Sequence, residues 1–215
     1  MKSVKAVLFD IDGVLVESDE AIVRSFQHTF SHLHLEPPKR DKIMLAHFHG
    51  KTSAQWIRAM LPPKLRKDEE LVKKMSEHAE GIYAQWYFPM LARAMEGANE
   101  TLDKLRRKKI KLAIITNNQR ATTEKILSLF GFGEFDCILS AEDTVEVKPS
   151  PEPLLLALKK LRVKKNEAIF VGDTDIDVVA GERAGIKTVV VAHERNAGLK
   201  GWKRISSLKE LLALV

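Results

Sequence analysis

The stretch Val7-Leu8-Phe9-Asp10-Ile11-Asp12-Gly13-Val14-Leu15 decides how the rest of the chain is read. An apolar run over residues 5–9 suits a buried strand. It delivers two aspartates, one residue apart, into a glycine turn. Alternate side chains of a strand share a face, so Asp10 and Asp12 would point the same way if the strand continued. A turn at Gly13 breaks that alternation and lets both carboxylates converge on one point. Converging carboxylates repel unless a cation sits between them or one keeps a proton. Such a pair suits a metal site, an acid/base pair or a covalent nucleophile, while Asp-Gly by itself also makes an ordinary turn.

Further along, β-rich runs at 111–116, 137–139, 168–171 and 188–191 alternate with helical patterns at 99–107, 121–130, 151–161 and 175–184. A last helical pattern at 208–214 closes the chain. Gly131 and Gly185 stand where helix C-caps belong. This alternation predicts an α/β fold, an open parallel Rossmann-like sheet with helices on both faces. The segment 17–94 breaks the rhythm. It carries helical patterns at 19–32, 52–60 and 69–87, punctuated by Pro37-Pro38 and Pro62-Pro63, and no convincing strand. The expected organisation is a core of 1–16 and 95–215 with a small all-α domain, 17–94, inserted after the first strand. Ligands of open α/β sheets bind beyond the carboxyl ends of the strands, so an insertion leaving from that edge is placed to cover the site.

The 215 residues are 45% hydrophobic and 30% charged, enough for a large core with a small second domain. The net charge of +6 suits an anionic partner. The basic clusters Lys39-Arg40, Lys73-Lys74, Arg106-Arg107-Lys108-Lys109 and Lys159-Lys160 are scattered and lack interleaved aromatics, which argues against nucleic acid. A small phosphorylated metabolite suits the charge as well. The single cysteine, Cys137, excludes a disulfide framework. With no signal peptide and no membrane-length apolar run, a cytoplasmic protein without a membrane partner is expected.

Three more strand ends carry polar groups. Thr116-Asn117-Asn118 offers a hydroxyl and backbone N–H groups that can hold a phosphate, though the same residues make a good turn. Lys148 lies in the proline-stiffened loop 147–153, where it is either a fixed cation or an exposed lysine before a helix. Gly172-Asp173-Thr174-Asp175-Ile176-Asp177 crowds three acids at a strand end, and a helix cap would account for only one of them.

In this order and spacing, Asp10-Ile11-Asp12-Gly13, Thr116, Lys148 and Gly172-Asp173 to Asp177 resemble the four motifs of the haloacid dehalogenase superfamily, specifically its capped, phosphoglycolate phosphatase-like members. The resemblance implies a phosphoric monoester hydrolase that uses Mg2+ and an aspartyl-phosphate intermediate. It implies Asp10 as nucleophile and Asp12 as acid and base. It implies a metal held by Asp10, the Asp12 backbone carbonyl and Asp173, with Asp177 ordering metal-bound water or Lys148. Thr116, the Asn117 amide and Lys148 would cradle the phosphoryl group, and Asp175 would be exposed. The second acid, Asp12, favours phosphoryl transfer over carbon–halogen chemistry.

Val14 and Glu17 depart from the commonest pattern, which has Thr and Asp there. The segment 17–94 looks like the family's substrate-selecting cap, in which Lys51, in the loop 47–53, would meet an anionic group of phosphoglycolate or a sugar phosphate. Ile22 stands near the place of a mutase histidine and counts against a phosphomutase. A phosphonate hydrolase and a nucleic-acid-end phosphatase are the competing activities. Either a monomer or a homodimer is expected.

Overall fold

The computed structural model describes residues 3–48 and 52–215. Lys51 lies outside them. The chain forms β1 (Ala6–Phe9) and β2 (Val16–Glu17), then α1 (Asp19–His32), α2 (Arg40–Phe48), α3 (Ser53–Met60), α4 (Glu69–Ile82) and α5 (Phe88–Leu91). It continues through β3 (Arg93–Ala94), α6 (Ala98–Arg107), β4 (Lys111–Ile115), α7 (Arg120–Phe130), β5 (Cys137–Leu139) and α8 (Glu152–Leu161). It ends with β6 (Ala168–Gly172), α9 (Asp175–Ala184), β7 (Lys187–Val191), β8 (Lys203–Ile205) and a 3-10 segment, Leu208–Ala213.

Two compact units result, one of Met1–Glu17 with Arg93–Val215 and one of Ser18–Ala92. In the first, a six-stranded sheet has the order β5-β4-β1-β6-β7-β8, every neighbouring pair parallel. The sheet is therefore the α/β arrangement expected. β1, β4, β6 and β7 bury nearly every residue, as strands covered on both faces must. The chain runs outward from β1 to one edge through β4 and β5, and to the other through β6, β7 and β8. The switch in direction thus falls at β1, where such sheets open a crevice. β1 continues into Asp10, β4 into Thr116 and β6 into Asp173.

β8 adds a strand beyond the five read from sequence. Its Lys-Arg-Ile run is polar because it is an edge strand with only Ile205 buried. The two-residue pair β2 and β3, antiparallel with Glu17 opposite Arg93, is too short to carry a periodic signal.

The second unit packs its own core from Phe26, Phe30, Ile43, Trp56, Ile57 and Met75. Phe26 and Trp56 meet with ring centroids 4.9 Å apart. Thr52 caps α3 through a reciprocal pair with Gln55. Helix α2 is an addition to the helices expected from the sequence. The single helix expected over 69–87 ends as α-helix at Ile82 and widens into a π turn, Tyr83–Tyr87, before α5. Pro89 has no N–H to return to the carbonyl of residue 85, which is why a regular α-helical ladder does not run through. No helix among the described residues is long and apolar enough to cross a membrane.

Candidate active site

The turn after β1 is built on one carbonyl. Ile11 O accepts from the N–H groups of Val14, Leu15 and Val16, and Gly13 N–H donates to Val16 O at 2.7 Å. This tight loop ends the alternation of side chains directly after Phe9. Gly13 sits at φ +73°, and a Cβ there would lie 2.2 Å from Asp173 Oδ2, so only glycine fits both the turn and the neighbour.

Asp10 is buried. Its Oδ1 accepts from Ile11 N–H at 2.8 Å and its Oδ2 lies 2.9 Å from Lys148 Nζ. Lys148 is buried too, and its ammonium also reaches Asp177 Oδ1 at 2.8 Å. The backbone of Lys148 is fixed by one side chain. Asn117 Nδ2 donates to Lys148 O at 2.9 Å and Asn117 Oδ1 accepts from Lys148 N–H at 3.1 Å. Asp177 turns its second oxygen back to the start of α9, accepting from Asp173 N–H, Thr174 N–H and Thr174 Oγ1. Gly172 lets this happen, because a Cβ there would stand 2.3 Å from Asp177 Cβ.

Asp173 is fully buried. Its Oδ2 receives Arg195 Nη2 at 2.7 Å, and its Oδ1 has no hydrogen-bond partner among the described residues. Carboxylate oxygens of Asp10, Asp173 and Asp177 all lie within 4.8 Å of one another. A buried carboxylate oxygen without a donor, among acids this close, fits a divalent cation and hard oxygen ligands. Asp12 is half-buried, and Asn118 Nδ2 donates to its Oδ2 at 2.7 Å. Thr116 is buried, and its Oγ1 accepts from Asn118 N–H.

Burial first, and charge crowding second, shift the protonation of the cluster. Burial pushes the Asp10 carboxyl up to about 7, with Asp177 and Asp12 adding to the rise and Lys148 opposing it. Burial also holds Asp173 well above the usual carboxylate range, against Arg195 and with help from Asp177 and Asp10. Burial would lower the Lys148 ammonium, but Asp10 and Asp177 outweigh it and keep the lysine charged above its ordinary value.

A family model described as haloacid dehalogenase-like hydrolase matches residues 7–191. The chain belongs to this family. A curated relative, pyrophosphatase PpaX of Halalkalibacterium halodurans, is 36% identical over 191 residues, 88% of this chain and 84% of that protein. PpaX of Bacillus mycoides is 32% identical over 196 residues, with the same coverage. Among solved structures, a HAD-superfamily hydrolase of Geobacter sulfurreducens shares 26% identity at a TM-score of 0.75, covering 98% of this chain and 96% of that one. A predicted phosphoglycolate phosphatase from Haemophilus somnus shares the fold at a TM-score of 0.88 and 23% identity, covering 100% and 99%. As a member of the haloacid dehalogenase-like family with these relatives, the protein is a hydrolase of the phosphatase kind.

The structure brings Asp10, Lys148, Asp173 and Asp177 into one cluster. Asn117 joins that cluster through the lysine backbone, and Asn118 holds Asp12. Asp175, expected to be exposed, is half-buried in the first turn of α9. Sequence reasoning missed the side chain of Asn118 and the whole loop after β7. In that loop Arg195 holds Asp173, His193 Nε2 pairs with Gly13 O at 2.6 Å, and buried Asn196 donates to Asp173 O and Val191 O. The available signal was position alone, since this loop too leaves the carboxyl end of a sheet strand.

Proposed function

We propose that this phosphatase is magnesium-dependent and hydrolyses small phosphorylated metabolites through a phosphorylated Asp10. The observation that carries the reading is the buried Asp10–Lys148–Asp177 chain beside the donorless Asp173 Oδ1. In the first half-reaction an Asp10 carboxylate oxygen attacks phosphorus, and the bond to the leaving oxygen breaks as Asp12 gives that oxygen its proton. In the second, Asp12 takes a proton from water, the water oxygen attacks the same phosphorus, and Asp10 is restored as inorganic phosphate leaves. Lys148 and the Thr116 hydroxyl stabilise the phosphoryl oxygens, and Asn117 keeps the lysine in place. A divalent ion held by Asp10, Asp173 and the Asp12 carbonyl, with Asp177 behind them, would neutralise charge building on those oxygens.

The helical unit Ser18–Ala92 is read as the cap that selects the substrate, with Lys51 as its candidate anion contact. Phosphoglycolate and sugar phosphates are the expected substrates. The PpaX relatives, named for pyrophosphatase activity, support inorganic pyrophosphate as a second candidate. A cytoplasmic location belongs to the same reading, with Cys137 a buried free thiol. Phosphate release from phosphoglycolate, a sugar-phosphate panel and pyrophosphate, with magnesium and with EDTA, tests the proposal. Magnesium-dependent release that disappears in Asp10→Asn is expected. Equal release in EDTA, or an undiminished Asp10→Asn enzyme, sinks it.

A further inference from the structure

We infer that Arg195 is a built-in competitor of the metal, a cation that stabilises the unloaded acid cluster and thereby weakens divalent-ion binding. The inference rests on the metal reading above. Arg195 Nη2 lies 2.7 Å from Asp173 Oδ2, and the arginine side chain is only 16% exposed. Its position is set by the loop that carries it. Asn196, beside it, is 1% exposed and donates to Asp173 O and Val191 O at 2.7 and 2.8 Å. Its Oδ1 in turn accepts from His193 N–H and from Arg204. His193 ties the same loop to Gly13 O. The guanidinium is thus presented to one metal-facing acid by contacts that fix both ends of the loop.

A charge so placed acts in two ways. It occupies Oδ2, leaving Asp173 only Oδ1 to offer an ion. It also supplies part of the positive charge that three buried carboxylates otherwise draw from a metal. Two cations that neutralise one site oppose each other, and that opposition is reciprocal. Removing the arginine destabilises the unloaded protein and tightens the ion.

Magnesium titration of the whole protein by calorimetry, paired with thermal melts in EDTA and in saturating magnesium, tests this without any activity measurement. Arg195→Gln is expected to bind magnesium about 10-fold more tightly, within the usual range of coupling between sites. Its melting temperature falls in EDTA and returns toward that of the wild type in magnesium. Arg195→Lys keeps the charge and stays near wild-type affinity. Arg204→Gln, which removes a support of the same loop without touching Asp173, lowers both melts alike. Unchanged or weaker magnesium binding in Arg195→Gln overturns the inference, as does a melting deficit that magnesium leaves in place. So does an Arg195→Gln protein that fails to fold even with magnesium while Arg195→Lys folds. Asp173→Asn separates the two levels. A wild-type magnesium response that Asp173→Asn abolishes upholds the metal site, whatever Arg195 does. A wild type that binds no magnesium overturns both readings together.

Discussion

Burial makes the Asp10 carboxyl release its proton at higher pH than a free aspartate does. This carboxyl is pushed up to about 7 from 3.8, so the folded state holds a proton that the unfolded chain releases in between. The stability contributed is complete below about pH 4 and is lost as pH rises through about 7. Asp173 shifts in the same direction. Urea unfolding of the metal-free protein at a series of pH values should therefore show stability falling across that window, with a shallower fall in Asp10→Asn. An equally steep fall in the variant would refute the assignment. Lys148 is the counterpart. Lys148→Met leaves its acids without their ammonium and should cost about 3–5 kcal/mol in metal-free urea unfolding, as removal of one partner from a buried pair does. As candidates, Asp10, Asp12, Lys148 and Asp173 were legible in the sequence because each lies at a strand end or in a loop stiffened by glycine or proline. Asn118 and Arg195 were not. Their partners, Asp12 and Asp173, lie 106 and 22 residues away, and only the assembled sheet brings them near.

At the scale of single elements, β6 and α9 show how tightly a strand end and a helix start can be joined. A methyl group at residue 172 would stand 2.3 Å from Asp177 Cβ, so Gly172→Ala must move either β6 or the first turn of α9. Urea unfolding should register about 1–3 kcal/mol of overpacking. Magnesium affinity should weaken with it, and an unchanged stability would show that the helix start yields freely. In the other unit, Thr52→Ala removes one half of the cap on α3 and should cost about 1 kcal/mol. Strands with continuous apolar runs could be read directly. β8 could not, because an edge strand needs only one buried residue to hold its place. Nor could the break after Ile82, because the apolar spacing of 69–87 carries on through a backbone change that Pro89 enforces.

At the scale of the molecule, two hydrophobic clusters among the described residues share no residue, one containing Leu8 and Phe170 and the other Phe30 and Trp56. Phe170→Ala should cost about 3–5 kcal/mol and speed hydrogen exchange in the sheet strands. Phe30→Ala should speed exchange chiefly within residues 19–91, and faster exchange in β1 and β6 as well would show one cooperative unit rather than two. The sequence loses its strand rhythm between β2 and β3, but those two strands carry no signal of their own, since they hold two residues each. Those strands, and the helical excursion between them, have a bearing on descent. The excursion leaves the sheet unit at Glu17 and returns at Arg93, and these two residues are paired partners in one small ladder. A lineage can therefore lengthen, trim or rewrite the excursion without shifting the register of any strand in the sheet. If that excursion is the substrate-selecting cap proposed above, preference for one phosphate ester over another can drift through generations while the reaction itself is inherited unchanged.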